Sequence, residues 1–341
     1  MKKIIINTLK VLVPIFLGIA IMYWVYRDEN GNLSISSVSD VIWGGVDWWW
    51  MSLSLIFGML AQVARGLRWV QTLEPIGEHP RSSVSVYSIF ISYATNTVLP
   101  RVGEISRCGI LRKYDGVSLP KSIGTVVMER TIDTICILLL AVLTIALQFG
   151  VFDRFFSTTG TKIGNFTDSL TLGHYIIIGA CTVAVIVLCA IFMRSFSIFA
   201  RIHGVIAKVL EGVMSLRKVE NKWLFAFYTI AIWGCYLLHF YLTFFCFDFT
   251  AGLSFVAGLV MFVVGSIAVA VPTPNGLGPW HFAVMTMMIL YGVDKADAGV
   301  FALIVHGIQT ALLIALGIVG LLALAFTKQK TSKTEYENEN N

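Results

Sequence analysis

The chain has 341 residues, of which 57% are hydrophobic and 13% are charged, and its formal net charge at pH 7 is +5. Uninterrupted apolar segments of about 20 residues, long enough to cross a bilayer as helices, recur from one end to the other. This pattern excludes a soluble globular protein, and the segments lack the alternating hydrophobicity of membrane β-barrel strands. The sequence therefore predicts an all-α polytopic membrane protein with about six to eight transmembrane helices.

The composition also bounds the chemistry of the chain. The six cysteines lack CxxC spacing and lie in or beside apolar segments, which is typical of small core residues. No phosphate-binding Walker loop is present, so the sequence does not support ATP-driven transport. The positive charge is explained by basic cytoplasmic loops rather than by nucleic-acid binding. We expect no cofactor, no metal and no nucleic-acid partner.

The first two apolar segments define the expected orientation. Residues 4–25 are longer than the apolar part of a signal peptide and lack a cleavage site, so they are interpreted as the first span. A polar loop follows at 27–47, and a second span runs from about 48 to 64. It ends at Arg65 and Arg68, basic residues that predict a cytoplasmic loop and therefore a cytoplasmic N-terminus.

The third apolar segment is interrupted by a proline. Residues 84–99 are too short for a full crossing and stop at Pro100, which disfavours helix in the residue before it. A full crossing would also place the basic residues of 112–121 outside, against the positive-inside rule. We predict a re-entrant hairpin that enters from the cytoplasm, with its tip at 99–103. Residues 122–148 then cross the membrane.

The middle of the chain contains its most basic segment. Residues 150–170 are polar and predict an external loop, and 172–193 predict another span. Residues 194–222 combine basic residues with apolar residues at helical spacing, which favours an amphipathic helix at the membrane surface. Such a helix would bind anionic lipid, dock a partner, or only connect two spans, and these alternatives stay open.

The second half repeats this order in the opposite sense. Its segments are a span at 223–247, an apolar run at 252–271, a Pro/Gly-rich break at 272–279, a short run at 281–292 and a final helix at 298–326. The break either caps a full crossing or forms the tip of a second hairpin. We favour the hairpin, because it makes the halves an inverted repeat. We predict one membrane domain at 1–326 and a polar, disordered cytoplasmic tail at 327–341.

Six charged residues lie within the two segments around the first break, where each charge costs at least about 2.5 kcal/mol near the bilayer centre. They are Arg101, Glu104, Arg107, Glu129, Arg130 and Asp133. Three are positive and three negative, as expected for a paired network facing a hydrated cavity. Glu129, Arg130 and Asp133 share one helix face by their spacing. The alternative is that the network only holds helices together.

The two breaks predict a site for an anion. The tip of a hairpin exposes the N-terminus of its second arm, whose free N–H groups and dipole favour negative charge. The predicted tip residues are Pro100, Gly103, Pro274, Gly276 and Gly278. With the arginines they form a candidate receptor for a lipid phosphate, while the carboxylates pair the arginines or bind a coupling proton. Further candidates are His281, His306 and Gln309, whereas Asn96 and Asn275 are expected to cap the turns.

These motifs resemble a known family. They read Leu99-Pro100-Arg101-x-Gly103-Glu104-x-x-Arg107, Glu129-Arg130-x-x-Asp133 and Pro274-x-Gly276-x-Gly278, and together they resemble the lysylphosphatidylglycerol synthase transmembrane region over about residues 5–326. The resemblance implies a plasma (inner) membrane protein with re-entrant helices, and lipid translocation in members that carry a lipid-aminoacylating domain. The short polar tail leads us to expect a stand-alone member without that domain. Asn275 and His281 replace a glycine and a glutamate of the family pattern, so an acidic role at the second break is not carried over.

The leading hypothesis is a lipid flippase that moves an anionic phospholipid or a polyprenyl-phosphate-linked lipid between leaflets through a charged cavity. A second hypothesis is an accessory membrane subunit in which the charge network is structural. A third is a membrane-embedded head-group transferase with Glu129 or Asp133 as general base. No catalytic constellation supports the third hypothesis, so we expect no enzyme activity. The expected partner is anionic lipid, with a homo-oligomer or a membrane enzyme partner left open.

Overall fold

The structure, a computed structural model, describes residues 2–26, 45–148, 150–151 and 219–330. These residues form helices and connecting turns with no β-strand among them, which confirms the predicted all-α class. The helices are α1 (Lys2–Tyr26), α2 (Trp48–Leu73), α3 (Ser82–Asn96), α4 (Val102–Asp115), α5 (Leu119–Leu147), α6 (Lys222–Tyr241), α7 (Phe255–Ala268), α8 (Pro279–Leu290) and α9 (Lys295–Ala325).

Four helical segments are long and apolar enough to cross a membrane. They are Trp48–Ile76, Leu119–Leu147, Lys222–Cys246 and Lys295–Ala325, of which the first and third extend α2 and α6 by a short 3₁₀ turn. Shorter apolar helices lie at Val13–Tyr26 and Phe255–Ala268. These features confirm a polytopic membrane protein. The predicted span at 172–193, most of the basic segment at 194–222, and most of the loops predicted at 27–47 and 150–170 lie outside the described residues.

Helices α3 and α4 form the first helical hairpin. The amide of Gly103 donates to Asn96 Oδ1 across the turn at 2.9 Å, so Asn96 caps the turn as predicted. A Cβ on Gly103 would overlap the carbonyl oxygen of Ser92, which shows how closely the two arms pack. At the other end, Arg81 Nε lies 2.7 Å from Asp115 Oδ1. The arms are therefore antiparallel, and their free ends meet.

Helices α7 and α8 form the second helical hairpin. Their connection at 269–278 turns sharply, with positive φ at Asn275, Gly276 and Gly278. Gly265 of α7 faces the Trp280 ring of α8, so these arms are also antiparallel. At 1.5 Å per residue the 14-residue α7 is about 21 Å long, shorter than the ~30 Å hydrocarbon core of a bilayer. By length alone, α7 is therefore too short to cross the hydrocarbon core.

The same order of helix, hairpin and helix occurs in both halves. Helices α2 and α6 pack against each other, with Ser54 near His239 and Arg68 near Thr229, so they run antiparallel. Helix α9 packs on the first arm of the first hairpin, and α5 packs on the first arm of the second. Each half therefore supplies the long helix that packs on the hairpin of the other half.

The second span differs from its prediction. It does not end at residue 64, because α2 continues to Leu73 and buries both Arg65 and Arg68. From the sequence, these arginines are expected to begin a cytoplasmic loop. They are instead neutralised inside the protein by carboxylates of α5, which removes the cost that would otherwise end the span before them.

Candidate functional site

The centre of the charge network is Asp133 on α5. Its two carboxylate oxygens each accept a hydrogen bond from a different arginine of α2: Arg65 Nη1 lies 2.6 Å from Oδ2, and Arg68 Nη2 lies 2.9 Å from Oδ1. Arg65 and Arg68 lie three residues apart, so one face of α2 presents both guanidinium groups. The exposed fractions of the two arginine side chains are 3% and 0%. Asp133 therefore joins α2 to α5 inside the apolar part of the protein.

A second ion pair lies one helical turn away. Glu129 is fully buried and accepts a 2.8 Å hydrogen bond from Arg107 Nη2 of α4, and Arg68 Nε lies 3.6 Å from its other oxygen. The Arg107 guanidinium also stacks 4.3 Å from the ring centre of Trp69. Three helices, α2, α4 and α5, thus meet at one carboxylate.

The outermost pair is the most accessible part of the network. Arg130 Nε lies 2.8 Å from Glu104 Oε1, and Arg130 Nη1 lies 3.8 Å from Asp133 Oδ2. The side chain of Arg130 is 40% exposed and that of Glu104 is 28% exposed. This pair is therefore more exposed than the buried pairs beneath it.

Arg101 stands apart from the other predicted charges. It is exposed at the first hairpin tip and has no ion-pair partner among the described residues. Its φ of 66° is unusual for a residue with a Cβ and costs roughly 1–3 kcal/mol. Strain of this kind clusters at ligand-binding positions, and Arg101 lies on the wall of a cavity.

The structure joins five of the six predicted charges by ion pairs and adds two residues that sequence reasoning missed. The five are Glu104, Arg107, Glu129, Arg130 and Asp133, and the additions are Arg65 and Arg68. The paired network holds four arginines and three carboxylates, a net charge of +1 instead of the predicted zero. The sequence feature that could have identified Arg65 and Arg68 is their spacing of three residues, which places both on one face of an otherwise apolar helix.

A cavity of about 580 Å³, the charged chamber, lies between the two hairpin tips. The first half lines it with Pro100, Arg101, Glu104, Arg130 and Asp133, and the second half with Pro272, Thr273, Asn275 and Gly276. The hydroxyl of Thr273 is buried and has no hydrogen-bond partner among the described residues. Both breaks therefore contribute residues to the wall of one cavity.

A second cavity of about 320 Å³, the amide chamber, adjoins the first. The chambers share Tyr93, Arg130, Trp233 and Asn275 on their walls, so these side chains lie between the two cavities. Gln62 of α2 and Gln309 of α9 line only the amide chamber. His306 also lines the amide chamber, so His306 and Gln309 lie beside the charged chamber rather than in its wall.

The remaining predicted residues shape the second tip. His281 is buried, lines neither chamber, and accepts a hydrogen bond from the Gly278 amide at the start of α8. Its ring centre lies 4.5 Å from that of His306, whose Nε2 is 3.0 Å from the Asn275 carbonyl oxygen. The Asn275 side chain donates to Thr310 Oγ1, so it ties the tip to α9 rather than capping the turn.

Three predicted tip residues, Gly103, Pro274 and Gly278, are absent from the walls of both chambers. They set the backbone path of the tips. In the described part of the chain no group of three or more His, Cys, Asp or Glu side chains is arranged to hold a metal ion.

Four bilayer-length apolar helices that enclose a buried ion-pair network define a polytopic membrane protein. The chain belongs to the lysylphosphatidylglycerol synthase TM region family, whose profile matches residues 11–317. This membership connects the protein to membrane lipids. No curated protein and no solved structure matches the chain.

Proposed function

We propose that the protein moves an anionic phospholipid, or a lipid linked to a polyprenyl phosphate, between the leaflets of the plasma membrane. The observation that carries the proposal is the charged chamber, a cavity of about 580 Å³ between two hairpin tips with Arg101 and Arg130 on its wall. Polar cavities at paired helix breaks are typical substrate sites of membrane transporters. In this proposal the hairpins are re-entrant, and both chain termini are cytoplasmic.

The electrostatics of the chamber favour a phosphate. Arg101 has no carboxylate partner among the described residues, and the paired network carries an excess of one arginine. Helix α4 begins at Val102, so the positive end of its dipole lies at the same tip as Arg101. The amides of Val102 and Gly103 already donate to Leu99 O and Asn96 Oδ1, so the dipole and Arg101 supply the attraction for a phosphate. A phosphate would therefore gain charge-assisted hydrogen bonds that the protein alone does not satisfy.

An apolar groove next to the charged chamber suits the acyl chains of such a lipid. The groove has a volume of about 660 Å³ and is lined by side chains of α1, α5, α7 and α8, among them Trp24, Ile145, Ile267 and Phe282. Val271 at the second tip lines both the groove and the charged chamber. A lipid would place its phosphate in the chamber and keep its chains in this apolar path.

The alternative functions receive less support from the geometry. A general base needs a free carboxylate within reach of the proton that it removes. Glu129 is instead paired with two arginines and Asp133 with three. The segment at 194–222 that would dock a partner enzyme lies almost entirely outside the described residues. The mass spectrometry experiment described next therefore distinguishes the accessory role from lipid transport.

Native mass spectrometry of protein purified in mild detergent tests the proposal. We expect the wild type to retain one anionic lipid class and the Arg101→Ala/Arg130→Ala variant to lose it, because both chamber cations are removed. The control is Arg112→Ala/Lys113→Ala, which removes two exposed cations from the far end of α4, outside both chambers. Equal retention by all three proteins would contradict the proposal and leave the charge network structural.

A further inference from the structure

We infer that the amide chamber selects the head group of the lipid, and that this head group carries uncharged hydroxyl groups, as glycerol or a sugar does, rather than an ammonium group. The inference rests on the proposed function, because it takes the lipid phosphate to lie in the charged chamber. It adds the chemical class of the substrate, which the phosphate site alone does not define.

Two glutamines on the wall of the amide chamber each have an amide atom without a hydrogen-bond partner among the described residues. Gln62 is 2% exposed, and its Oε1 is buried with no hydrogen-bond partner among the described residues. Gln309 Nε2, on α9, is also buried and has no hydrogen-bond partner among the described residues. Buried amide groups are nearly always hydrogen-bonded. Gln62 and Gln309 both line the amide chamber, so two unpartnered amide atoms just beneath its surface mark unmet bonding capacity at this chamber.

A hydroxyl group matches this unmet capacity. An amide side chain offers both donors and acceptors, and a hydroxyl can donate to Gln62 Oε1 and accept from Gln309 Nε2. An ammonium group has only donors and would leave the Gln309 nitrogen without a partner. The chamber volume of about 320 Å³ lies at the lower end of the range for small-ligand sites, about 300–1,000 Å³.

The charges around the amide chamber also disfavour an ammonium head group. Its one lining residue with a permanent charge is Arg130. The nearest carboxylates, Glu104 and Asp133, are on the wall of the charged chamber and are already paired with arginines. An ammonium head group would therefore enter a region of net positive charge without a free counter-ion, which disfavours it strongly in a low-dielectric site.

Aromatic rings line the amide chamber, and such rings bind ammonium groups in other sites. Two of them are already occupied by a cation. The Arg65 guanidinium lies 5.8 Å from the ring centre of Tyr93 and 5.7 Å from that of Tyr236. Tyr93 and Tyr236 are therefore not free to bind an ammonium group. The other Trp and Phe rings of the chamber pack edge to face in two pairs, Trp233 with Phe262 and Trp280 with Phe240.

The test is a competition between three lipids with identical acyl chains, presented in equal amounts in nanodiscs and quantified by native mass spectrometry. The lipids are phosphatidic acid, phosphatidylglycerol and the lysyl ester of phosphatidylglycerol. We expect the wild type to prefer phosphatidylglycerol over phosphatidic acid by about tenfold, from two added hydrogen bonds, and to retain the lysyl ester least.

The variant Gln62→Leu/Gln309→Leu removes both amides at similar side-chain size. It should bring the ratio of phosphatidylglycerol to phosphatidic acid close to one while phosphatidic acid is retained as before. The matched control is Gln71→Leu on the same helix, because Gln71 Oε1 is also buried and unpartnered among the described residues but lies outside both chambers. This control should keep the wild-type ratio.

Two results would overturn the inference and leave the proposed function standing: a wild-type ratio near one, or preferential retention of the lysyl ester. If Gln62→Leu/Gln309→Leu does not fold, the ratio of phosphatidylglycerol to phosphatidic acid retained by the wild type tests the inference by itself. Failure of the proposed function looks different, because neither phosphatidic acid nor phosphatidylglycerol would then be retained by the wild type.

Discussion

Asp133 is the residue on which the buried arginines depend. Each of its oxygens accepts a hydrogen bond from one guanidinium group of α2, and no other carboxylate in the described chain lies within 4 Å of Arg65. Breaking a buried ion pair by removing one partner leaves an uncompensated charge in a low-dielectric interior. The contact between α2 and α5 therefore depends strongly on the Asp133 side chain.

We expect Asp133→Asn to destabilise the protein by about 3–5 kcal/mol, because two buried arginines lose their main counter-charge while the side-chain shape is kept. The measurement is thermal unfolding of the purified variant, followed by intrinsic tryptophan fluorescence. Glu104→Gln is the matched control. Its pair with Arg130 is much more exposed, so its loss should cost less than about 1 kcal/mol. Equal melting temperatures for the two variants would contradict this description of the network.

The helical hairpins are the elements that bring the site together. In the first hairpin the Gly103 position allows the arms to approach so closely that no side chain fits between them. The tip then presents Arg101 and the N-terminus of α4 to the charged chamber. Any change that separates the arms should therefore displace the tip.

Gly103→Ala should open the first hairpin, because the added Cβ meets the backbone oxygen of Ser92, which cannot move aside as a side chain can. We expect a loss of at least about 1–3 kcal/mol and weaker retention of anionic lipid, measured by thermal unfolding and native mass spectrometry. The control is Gly109→Ala on the same helix, where a Cβ meets nothing within 4 Å. That variant should be neutral or stabilised by about 0.5–1 kcal/mol. A Gly103→Ala protein as stable as this control would refute the close packing of the arms.

Local sequence signals predicted most of these elements. Pro100 and the Pro/Gly-rich segment marked both breaks, and the ends of α3 and α5 lie within three residues of their predicted positions. The charge network was found only in part. Arg65 and Asp133 are 68 residues apart, so the pairing that keeps Arg65 inside the protein is a tertiary contact without a local signal. The positive-inside rule therefore placed Arg65 and Arg68 in a loop.

At the scale of the whole molecule, the two halves form one cavity that neither could form alone. The first half supplies the charges of the charged chamber, and the second half supplies most of its uncharged wall, including Thr273 and Asn275. The long helices α5 and α9 each cover the hairpin of the other half. In a transporter, movement of one half relative to the other would change which side of the membrane the cavity faces.

The central claim is that the protein carries an anionic lipid across the bilayer through the charged chamber. The most direct measurement follows fluorescently labelled phosphatidylglycerol in proteoliposomes, with and without an imposed proton gradient, by quenching the outer leaflet with dithionite. We expect wild type and Arg112→Ala/Lys113→Ala to expose more labelled lipid than empty vesicles, and Arg101→Ala/Arg130→Ala to expose no more than empty vesicles. A wild type that behaves as empty vesicles do, or an active chamber variant, would contradict the central claim.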